Sequence, residues 1–328
     1  MLVDRGAGGD LTVFWGATRW TALQRIVRLG LACACLAIAS AQAVAARVAV
    51  VLSDDAAPYQ EVYQVIRAYL DDTPHEASRV YAPGLSAASL NDARLAVAVG
   101  VGAAEALAAL PERPPVLVIL VPRAWYVKTG RERLNTDGRR SASAIFLDQP
   151  FERQARLVRL ALPDVRRVGV LLSAEQSGVL NELEDALRAQ RLSLVYATLK
   201  GDERLITPLE AVLSEADLLL ALPDPLVFNR NTAQSLFLTS YRYRDPVLGY
   251  SRSLTRAGAL LSLHSSPAQI GRQAAEWVSG ALQGGTVRLP PPAYPTYYSV
   301  SINEQVARSL GFTLPSEADL EKRLGGGN

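Results

Sequence analysis

The chain has 328 residues, of which 49% are hydrophobic and 20% charged, and its formal net charge at pH 7 is +2. This length exceeds that of one small domain, and two globular domains are the natural expectation. The balance of charge gives no clustered basic excess of the kind that binding to nucleic acid or to an anionic membrane needs.

The amino terminus differs from the rest of the chain. A basic segment (19–28) precedes an apolar run of eleven residues (29–39), and small residues then lead to Arg47. This order is typical of a secretory signal peptide. We predict a signal peptide and leader over residues 1–43, with cleavage after Ala43 or after Ala45, and hence a periplasmic protein.

Other readings of this segment fit less well. A membrane anchor needs about 20 apolar residues, and a buried core helix has no need of the basic-to-small order. Neither Cys33 nor Cys35 has a leucine three residues before it, so the sequence does not favour a lipid anchor.

Removal of residues 1–43 takes away four arginines, two aspartates and both cysteines, and leaves 30 basic and 30 acidic residues. The remaining chain is therefore neutral, with no disulfide, no thiol chemistry and no cysteine metal site.

In the first half of the chain, apolar runs predict β-strands, and a helical pattern follows the first of them. The runs are 47–53 (RVAVVLS), 95–99 and 116–121. After the first of them, apolar residues recur with the period of a helix, at Val62, Val65, Ile66, Tyr69 and Leu70.

The second half repeats this pattern. RVGVLLS (167–173) nearly reproduces RVAVVLS, and a helix with Leu180, Leu183 and Leu187 on one face follows it. Further apolar runs lie at 218–222 and 247–250. Continuous apolar strands that alternate with helices are typical of parallel sheets buried on both faces.

We therefore predict an α/β protein of two doubly wound lobes. Lobe 1 covers 47–144 and lobe 2 covers 145–262. The segment 263–300 crosses back and contributes to lobe 1, the chain to about 323 adds to lobe 2, and 324–328 form a frayed tail. The proline-rich stretch 290–297 is predicted to be a rigid connector before a last strand, 298–302.

Two strand-to-helix units strengthen the idea of duplication. Residues 141–163 and 258–303 each contain an apolar run, a polar turn, a proline that opens a helix, and an Arg-Gln-Ala triplet beginning at Arg153 or Arg272. Ser266 and Gln269 have the spacing of a capping box. We expect both arginines to occupy equivalent positions and to have structural roles.

The sequence offers little for an enzyme. It has two histidines, His75 and His264, and none of the common hydrolase, phosphate-binding or metalloprotease motifs. His264 precedes two serines, but adjacent residues of an extended segment point to opposite faces. A structural or pocket-lining histidine is the better interpretation, and no cofactor or metal is expected.

Polar and aromatic residues just after the predicted strands are the candidates for ligand binding, because open α/β sheets bind ligands there. Hydroxyls and free N–H groups suit a carboxylate, an acidic residue suits an ammonium, and an aromatic face suits an apolar or cationic group. Each of them also fits an ordinary surface loop or helix cap. The candidates are Ser53, Asp54, Tyr59, Gly100, Gly102 and Trp125, with Tyr126 as a weaker choice, in the first half, and Ser173, Glu175, Gln176, Ser177, Asp224, Asn229, Tyr250, Ser251 and Ser265 in the second.

Among these, Asp224 is the leading anchor, since Pro223 and Pro225 restrict its backbone, and Tyr250 is its expected aromatic partner. The alternative is that Asp224 only caps the turn from Leu226 to Asn229.

Several segments carry a family resemblance. They are GALLSLHSSPAQIGRQAAEWVSGALQGG (258–285), the Leu-Pro pair at 289–290, SVSINEQVARSLGFTLPSE (299–317), RRVGVLLS (166–173) and ADLLLALPDPLVFN (216–229). Together they resemble the substrate-binding proteins of ABC-type import systems, whose better-known members bind aromatic amino acids. The resemblance implies a type I periplasmic-binding-protein fold, in which two lobes joined by crossing strands close on a small solute.

One departure from the family pattern leaves the ligand open. Relatives that bind aromatic amino acids carry Thr-Asp-Pro after the third strand, where this chain has Val121-Pro122-Arg123. The leading hypothesis is a monomeric solute-binding protein that delivers a small, amino-acid-like molecule to an ABC transporter permease. A ligand sensor that docks on a membrane receptor or a signalling protein is the alternative, and a periplasmic hydrolase or transferase is disfavoured by the absent motifs.

Overall fold

The computed structural model describes residues 45–135, 142–199, 205–229, 231–283 and 285–325, all within one unit, Ala45–Asn328. The predicted signal peptide, 1–43, lies outside the described residues.

The first sheet is built from five parallel strands in the order β2-β1-β3-β4-β5. The apolar runs form strands because they are buried on both faces: Val48 to Leu52 and Leu95 to Val99 are all fully buried. The strands are β1 (Arg47–Leu52), β2 (Glu76–Tyr81), β3 (Ala93–Val99), β4 (Val116–Val121) and β5 (Ala142–Phe146).

Three helical segments connect these strands. They are α1 (Ala57–Asp71), α2 (Val101–Ala108) and an irregular helix, α3, composed of Arg123–Trp125, a π-helical segment Tyr126–Gly130, and Arg131–Leu134. A short 3₁₀ turn, Ala87–Leu90, precedes β3.

The second sheet has six strands in the order β11-β10-β9-β8-β6-β7, all parallel except β11, which pairs antiparallel with β10. The strands are β6 (Arg167–Ser173), β7 (Ser193–Leu199), β8 (Leu218–Leu220), β9 (Val247–Gly249), β10 (Leu261–His264) and β11 (Ser299–Ile302).

Among the residues that the structure describes, eight helices follow α3. They are α4 (Phe151–Ala161), α5 (Leu180–Ala189), α6 (Ile206–Leu213), α7 (Ala233–Tyr243), α8 (Arg252–Ala257), α9 (Pro267–Leu282), α10 (Glu304–Leu310) and α11 (Glu317–Leu324). A 3₁₀ segment, Ala174–Val179, precedes α5.

The two sheets confirm the predicted fold of two doubly wound α/β lobes. Apart from the added β11, both have the same order, with the first strand of the lobe (β1 or β6) between the second and third. RVAVVLS and RVGVLLS are these equivalent first strands.

The chain crosses between lobes three times. After β5 in lobe 1, α4 packs in the core of lobe 2, and after β10 in lobe 2, α9 packs in the core of lobe 1. The third crossing is the proline-rich connector, where Ala293 pairs with the end of β5: its N–H donates to Ala144 and its carbonyl accepts from Phe146. The capping box of α9 is present as predicted, with both Ser266–Gln269 bonds formed.

Two boundaries differ from the prediction. Strand β5 runs to Phe146, so the predicted division between Ala144 and Ile145 falls inside a strand, and the first crossing comes at 147–150. Leu324 was expected to begin a frayed tail, but it ends α11 and is 4% exposed because it packs in the lobe 2 core.

Candidate functional site

A pocket of about 40 Å³ lies between the lobes, where the carboxyl ends of both sheets meet the crossings. Lobe 1 contributes the residues that follow β4, and lobe 2 contributes those that follow β6, β8 and β9. We call this pocket the cleft pocket. Its lining residues are Pro122, Arg123, Ala124, Asp148, Gln149, Phe151, Gln154, Gln176, Val179, Leu222, Pro223, Tyr250, Leu263 and Tyr294.

Asp148 supplies the acidic group of the cleft pocket. It lies in the first crossing, two residues after the end of β5, and its Oδ2 accepts the backbone N–H of Arg123 at 2.6 Å. Burial raises the pKa of this carboxyl above its usual value. A carboxylate that has lost part of its hydration gains most from a ligand that brings a positive charge or a hydrogen-bond donor.

Arg123 joins the two lobes at one edge of the cleft pocket. Its guanidinium NH1 lies 2.9 Å from Glu182 Oε2 on α5 of lobe 2. Its guanidinium carbon lies 5.8 Å from the ring centroid of Tyr294. Tyr294 packs edge-on against Phe146, with 5.5 Å between the ring centroids. This edge therefore combines a cation, a carboxylate and an aromatic face from three different parts of the chain.

A hydrogen-bond network connects the crossings behind the cleft pocket. Gln149 Nε2 in the first crossing donates to Ser265 Oγ in the second at 2.9 Å, and Ser265 Oγ donates to the carbonyl of Tyr297 in the third at 2.6 Å. Arg153 NH1 donates to Gln149 Oε1 at 2.6 Å and to the carbonyl of Pro295 at 3.0 Å. These bonds join the three crossings, and we call the set the hinge network.

Tyr250 separates the cleft pocket from a larger, more open one. This outer pocket has a volume of about 580 Å³ and includes Ser251, His264 and Ser265 of lobe 2 together with Glu61 of α1. Burial raises the pKa of Tyr250, and the charge of Asp224 adds to the effect. The ring packs edge-on against Phe228, with a centroid distance of 6.2 Å.

The predicted residues that follow β1 and β3 contact one another or nearby backbone groups. Ser53 Oγ donates to the carbonyl of Val99 at 2.8 Å and accepts the N–H of Ala103 at 2.9 Å. Gly100 has φ +89°, and a Cβ there would lie 2.6 Å from Ser53 Oγ and 2.9 Å from the Tyr59 hydroxyl. The turn that was expected to admit a ligand is thus filled by the chain's own side chains.

Four other lobe 1 predictions also have local roles. Gly102 is placed so that a Cβ would lie 3.3 Å from Ser53 Oγ. Asp54 is exposed and accepts the N–H of Ala56 in a local turn. Trp125 packs over Gly130, and Tyr126 is buried in the lobe 1 core against Phe146.

Asp224 has the geometry of a turn cap. It is 2% exposed, its Oδ2 accepts the N–H of Ser173 at 2.6 Å, and its Oδ1 accepts the N–H of Leu226 at 3.0 Å. Both carboxylate oxygens therefore serve backbone donors. This arrangement favours the capping alternative over a ligand anchor.

Of the remaining lobe 2 predictions, Gln176 and Tyr250 line the cleft pocket. Glu175 is exposed, and Ser177 donates to the carbonyl of Ala174. Asn229 accepts N–H groups ahead of α7, and Ser251 caps α8.

Sequence reasoning missed Asp148, Gln149, Arg123, Glu182 and Tyr294. The signal for the first two was present, since Asp148-Gln149-Pro150 is the polar turn inside the duplicated unit. Arg123, which was noted only as a departure from the family pattern, occupies the cleft edge. No pattern in the sequence pairs it with Glu182, 59 residues away.

His264 is 7% exposed, and its Nε2 lies 2.9 Å from Ser301 Oγ. Burial lowers its pKa to about 4, with a smaller contribution from Arg252. In the part of the chain that the structure describes, no group of three or more His, Cys, Asp or Glu residues could hold a metal ion. No helix in the same part is both long and apolar enough to cross a membrane.

Comparisons with solved structures agree with this architecture. A conserved domain protein from Vibrio cholerae is 21% identical with a TM-score of 0.58, and the match covers 85% of this chain and 98% of that one. An ABC domain from Streptococcus pneumonia in complex with L-Trp is 16% identical with a TM-score of 0.59, covering 86% and 99%. The ligand-free, open structure of the substrate-binding protein CD0873 from Clostridium difficile is 15% identical with a TM-score of 0.67, covering 83% and 96%.

At these identities the likeness concerns the fold. A comparison with the curated proteins finds no significant match. The model of one family, described as ABC transporter substrate binding protein, matches residues 90–321, which include most of both lobes and all three crossings. The chain therefore belongs to the ABC transporter substrate-binding protein family.

Proposed function

We propose that this protein binds a small organic solute in the cleft pocket and presents it to the membrane components of an ABC importer. The observation that carries the proposal is the position of Asp148: it is an acidic side chain with a raised pKa, and it lies between two lobes and beside aromatic rings. Family membership supports the same role.

The lining suggests the chemistry of the solute. Asp148 suits an ammonium or another hydrogen-bond donor, while Phe151, Leu222, Tyr250 and Tyr294 suit an aliphatic or aromatic body. Arg123 would pair with a carboxylate if it left Glu182. An amino acid with an apolar side chain combines these features, and L-Trp, which is bound in the pneumococcal structure, is one member of that class.

Binding requires the lobes to separate. The cleft pocket holds about 40 Å³, whereas pockets for small molecules usually have volumes of roughly 300–1,000 Å³. The solute therefore enters when the Arg123–Glu182 contact opens, and the lobes close again around it.

The solute can be identified by mass spectrometry of what copurifies with the protein after mild denaturation. Calorimetry with that molecule should then give a Kd in the micromolar range or tighter, about 8 kcal/mol. Asp148→Asn should weaken binding of an amine-bearing solute at least about tenfold, because a hydrogen bond to a charged group is worth roughly 1.5–3 kcal/mol.

Asp54→Asn is the matched control, because Asp54 is exposed and asparagine also accepts in a local turn. Its affinity should equal that of the unmodified protein. Equal affinities for Asp148→Asn and Asp54→Asn would exclude Asp148 as the anchor.

We also infer export to the periplasm, on the basis of the basic, apolar and small-residue order of residues 19–46. Amino-terminal sequencing of periplasmic protein should begin at Arg47 or a few residues before it. Recovery of intact Arg25 to Ala39 in the soluble fraction would contradict processing.

A further inference from the structure

A further pocket, distinct from the cleft pocket and the outer pocket, lies on lobe 2, at the opposite end of β9 from the cleft. Asp245 and Pro246 precede β9 and line this pocket, whereas Tyr250, which follows β9, lines the cleft. The volume is about 450 Å³, within the range usual for small-molecule sites. We call it the α7–α10 pocket.

The walls of the α7–α10 pocket are mostly apolar and come from separate elements. Helix α7 contributes Phe237, Leu238 and Tyr241, and α10 contributes Val306 and Leu310. Leu238 is 59% exposed and Tyr241 52% exposed, so two large apolar side chains stand at the rim of a pocket that is open to solvent. Transfer of an apolar ligand from water to these apolar walls would be favourable.

Asp245 gives this apolar pocket a polar group. The residue is 9% exposed, and its Oδ2 is buried without a hydrogen-bond partner among the described residues. Its backbone is fixed, since its N–H donates to the carbonyl of Ser240 and its carbonyl accepts from the Ser240 hydroxyl. A buried carboxylate oxygen without a partner costs folding free energy, and a ligand that brings a donor would remove that cost.

Neighbouring charges do not neutralise Asp245. The cation whose charge acts on it, Arg167, is already bonded to Asp217 at 2.9 Å. Burial, followed by the charge of Asp217, raises the pKa of Asp245 to about 7, against the smaller lowering effect of Arg167. The other charged side chains on the surrounding elements are Glu210, Arg242, Arg244, Arg252, Arg256, Glu304 and Arg308.

We propose that the α7–α10 pocket is a second ligand site, which takes an organic amine with an apolar body and places its ammonium group at Asp245. The apolar body would lie between α7 and α10, and the rings of Phe237 and Tyr241 would add a favourable surface for the cation. The site does not depend on the cleft pocket, and it is separate from the proposed transport function.

The test uses the whole protein and 2-phenylethylamine as the probe, with 2-phenylethanol as its uncharged match. In NMR spectra of the protein, addition of the amine should change the backbone amide chemical shifts of α7, α10 and the residues before β9. Asp245→Asn should weaken amine binding by at least about tenfold, and Leu238→Ser should weaken it by removing part of the wall. Asp148→Asn, which alters only the cleft, should have no effect on this signal.

The pH dependence gives an independent readout. Because the amine binds the ionised carboxyl, its affinity should fall by roughly two orders of magnitude between pH 8 and pH 5 if the pKa is near 7. This dependence should disappear in Asp245→Asn, whatever its effect on stability. Equal binding of the amine and the alcohol, or shift changes confined to the cleft, would overturn the proposal.

Discussion

Arg153 and Arg272 stack on adjacent tyrosines of the third crossing. The guanidinium carbon of Arg153 lies 3.9 Å from the ring centroid of Tyr298, and that of Arg272 lies 4.3 Å from the centroid of Tyr297. The two arginines begin the equivalent triplets of α4 and α9, which pack on opposite lobes. Each helix that leaves a crossing is thus held to the same connector.

The two arginines differ in burial and in their other partners. Arg153 is partly buried and also donates to Gln149 and to the carbonyl of Pro295, while the side chain of Arg272 is 50% exposed and pairs with Glu276 in the next turn of the same helix. The two arginines therefore keep equivalent positions, but only Arg153 of the pair belongs to the hinge network.

We expect Arg153→Ala to lower the free energy of unfolding by about 2 kcal/mol or more, because it removes charge-assisted hydrogen bonds and leaves Gln149 and Pro295 without their donor. Arg272→Ala should cost less than about 1 kcal/mol, the usual range for an exposed pair. Chemical denaturation of both variants measures the difference. Similar losses would show that the hinge network adds nothing to the stacking.

For Asp224, we expect a stability effect without an affinity effect. Asp224→Asn replaces one acceptor oxygen by an amide that cannot accept from Ser173 or Leu226 N–H, which should cost about 1–3 kcal/mol. Calorimetry should give an unchanged Kd for the cleft solute. A weakened Kd at unchanged melting temperature would restore Asp224 as the ligand anchor.

The sequence was informative about the fold because its signals are local. Apolar runs such as Val48 to Leu52 and the capping pair Ser266–Gln269 depend on neighbours in the chain. The repeat of RVAVVLS as RVGVLLS predicted the two lobes, and the family resemblance implied the same arrangement. The expectation that ligand-binding residues follow strands also selected Gln176 and Tyr250, and both line the cleft pocket.

The same expectation cannot separate a ligand contact from a turn cap. Ser53, Asp224 and Ser251 follow strands as binding residues do, but backbone N–H groups use their oxygens. The partners that decide this lie up to 51 residues away, as Ser173 does from Asp224. The cleft edge at Arg123 and Glu182 needs the relative position of the lobes, which no local pattern contains.

Glu182→Gln should shift the protein towards an open form. The Arg123–Glu182 pair joins the lobes, and its side chains are 33% and 38% exposed, so its contribution is about 0.2–1 kcal/mol. Small-angle scattering of the solute-free variant should show a larger radius of gyration, and solute affinity should fall about two- to fivefold. Glu184→Gln on the same helix, which breaks only a local pair with Arg188, is the control and should change neither quantity.

His264 should make the protein less stable in mild acid. Its pKa is lowered by burial to about 4 in the folded protein, from 6.5 for an unperturbed histidine. Between these values the unfolded chain binds more protons, so the stabilisation is complete above pH 6.5 and is lost as the pH falls towards 4, by at most about 1.4 kcal/mol per pH unit. Asp245 acts in the opposite direction, since its raised pKa of about 7 disfavours the folded state as the pH rises from 4 to 7.

The contribution of His264 is therefore isolated by the difference between the unmodified protein and His264→Gln. We expect His264→Gln to be less stable at pH 7, because the bond to Ser301 is disturbed, and the gap in unfolding free energy to narrow steadily from pH 6.5 to pH 4.5. A gap that stays constant over this range would show that His264 does not change its protonation on unfolding.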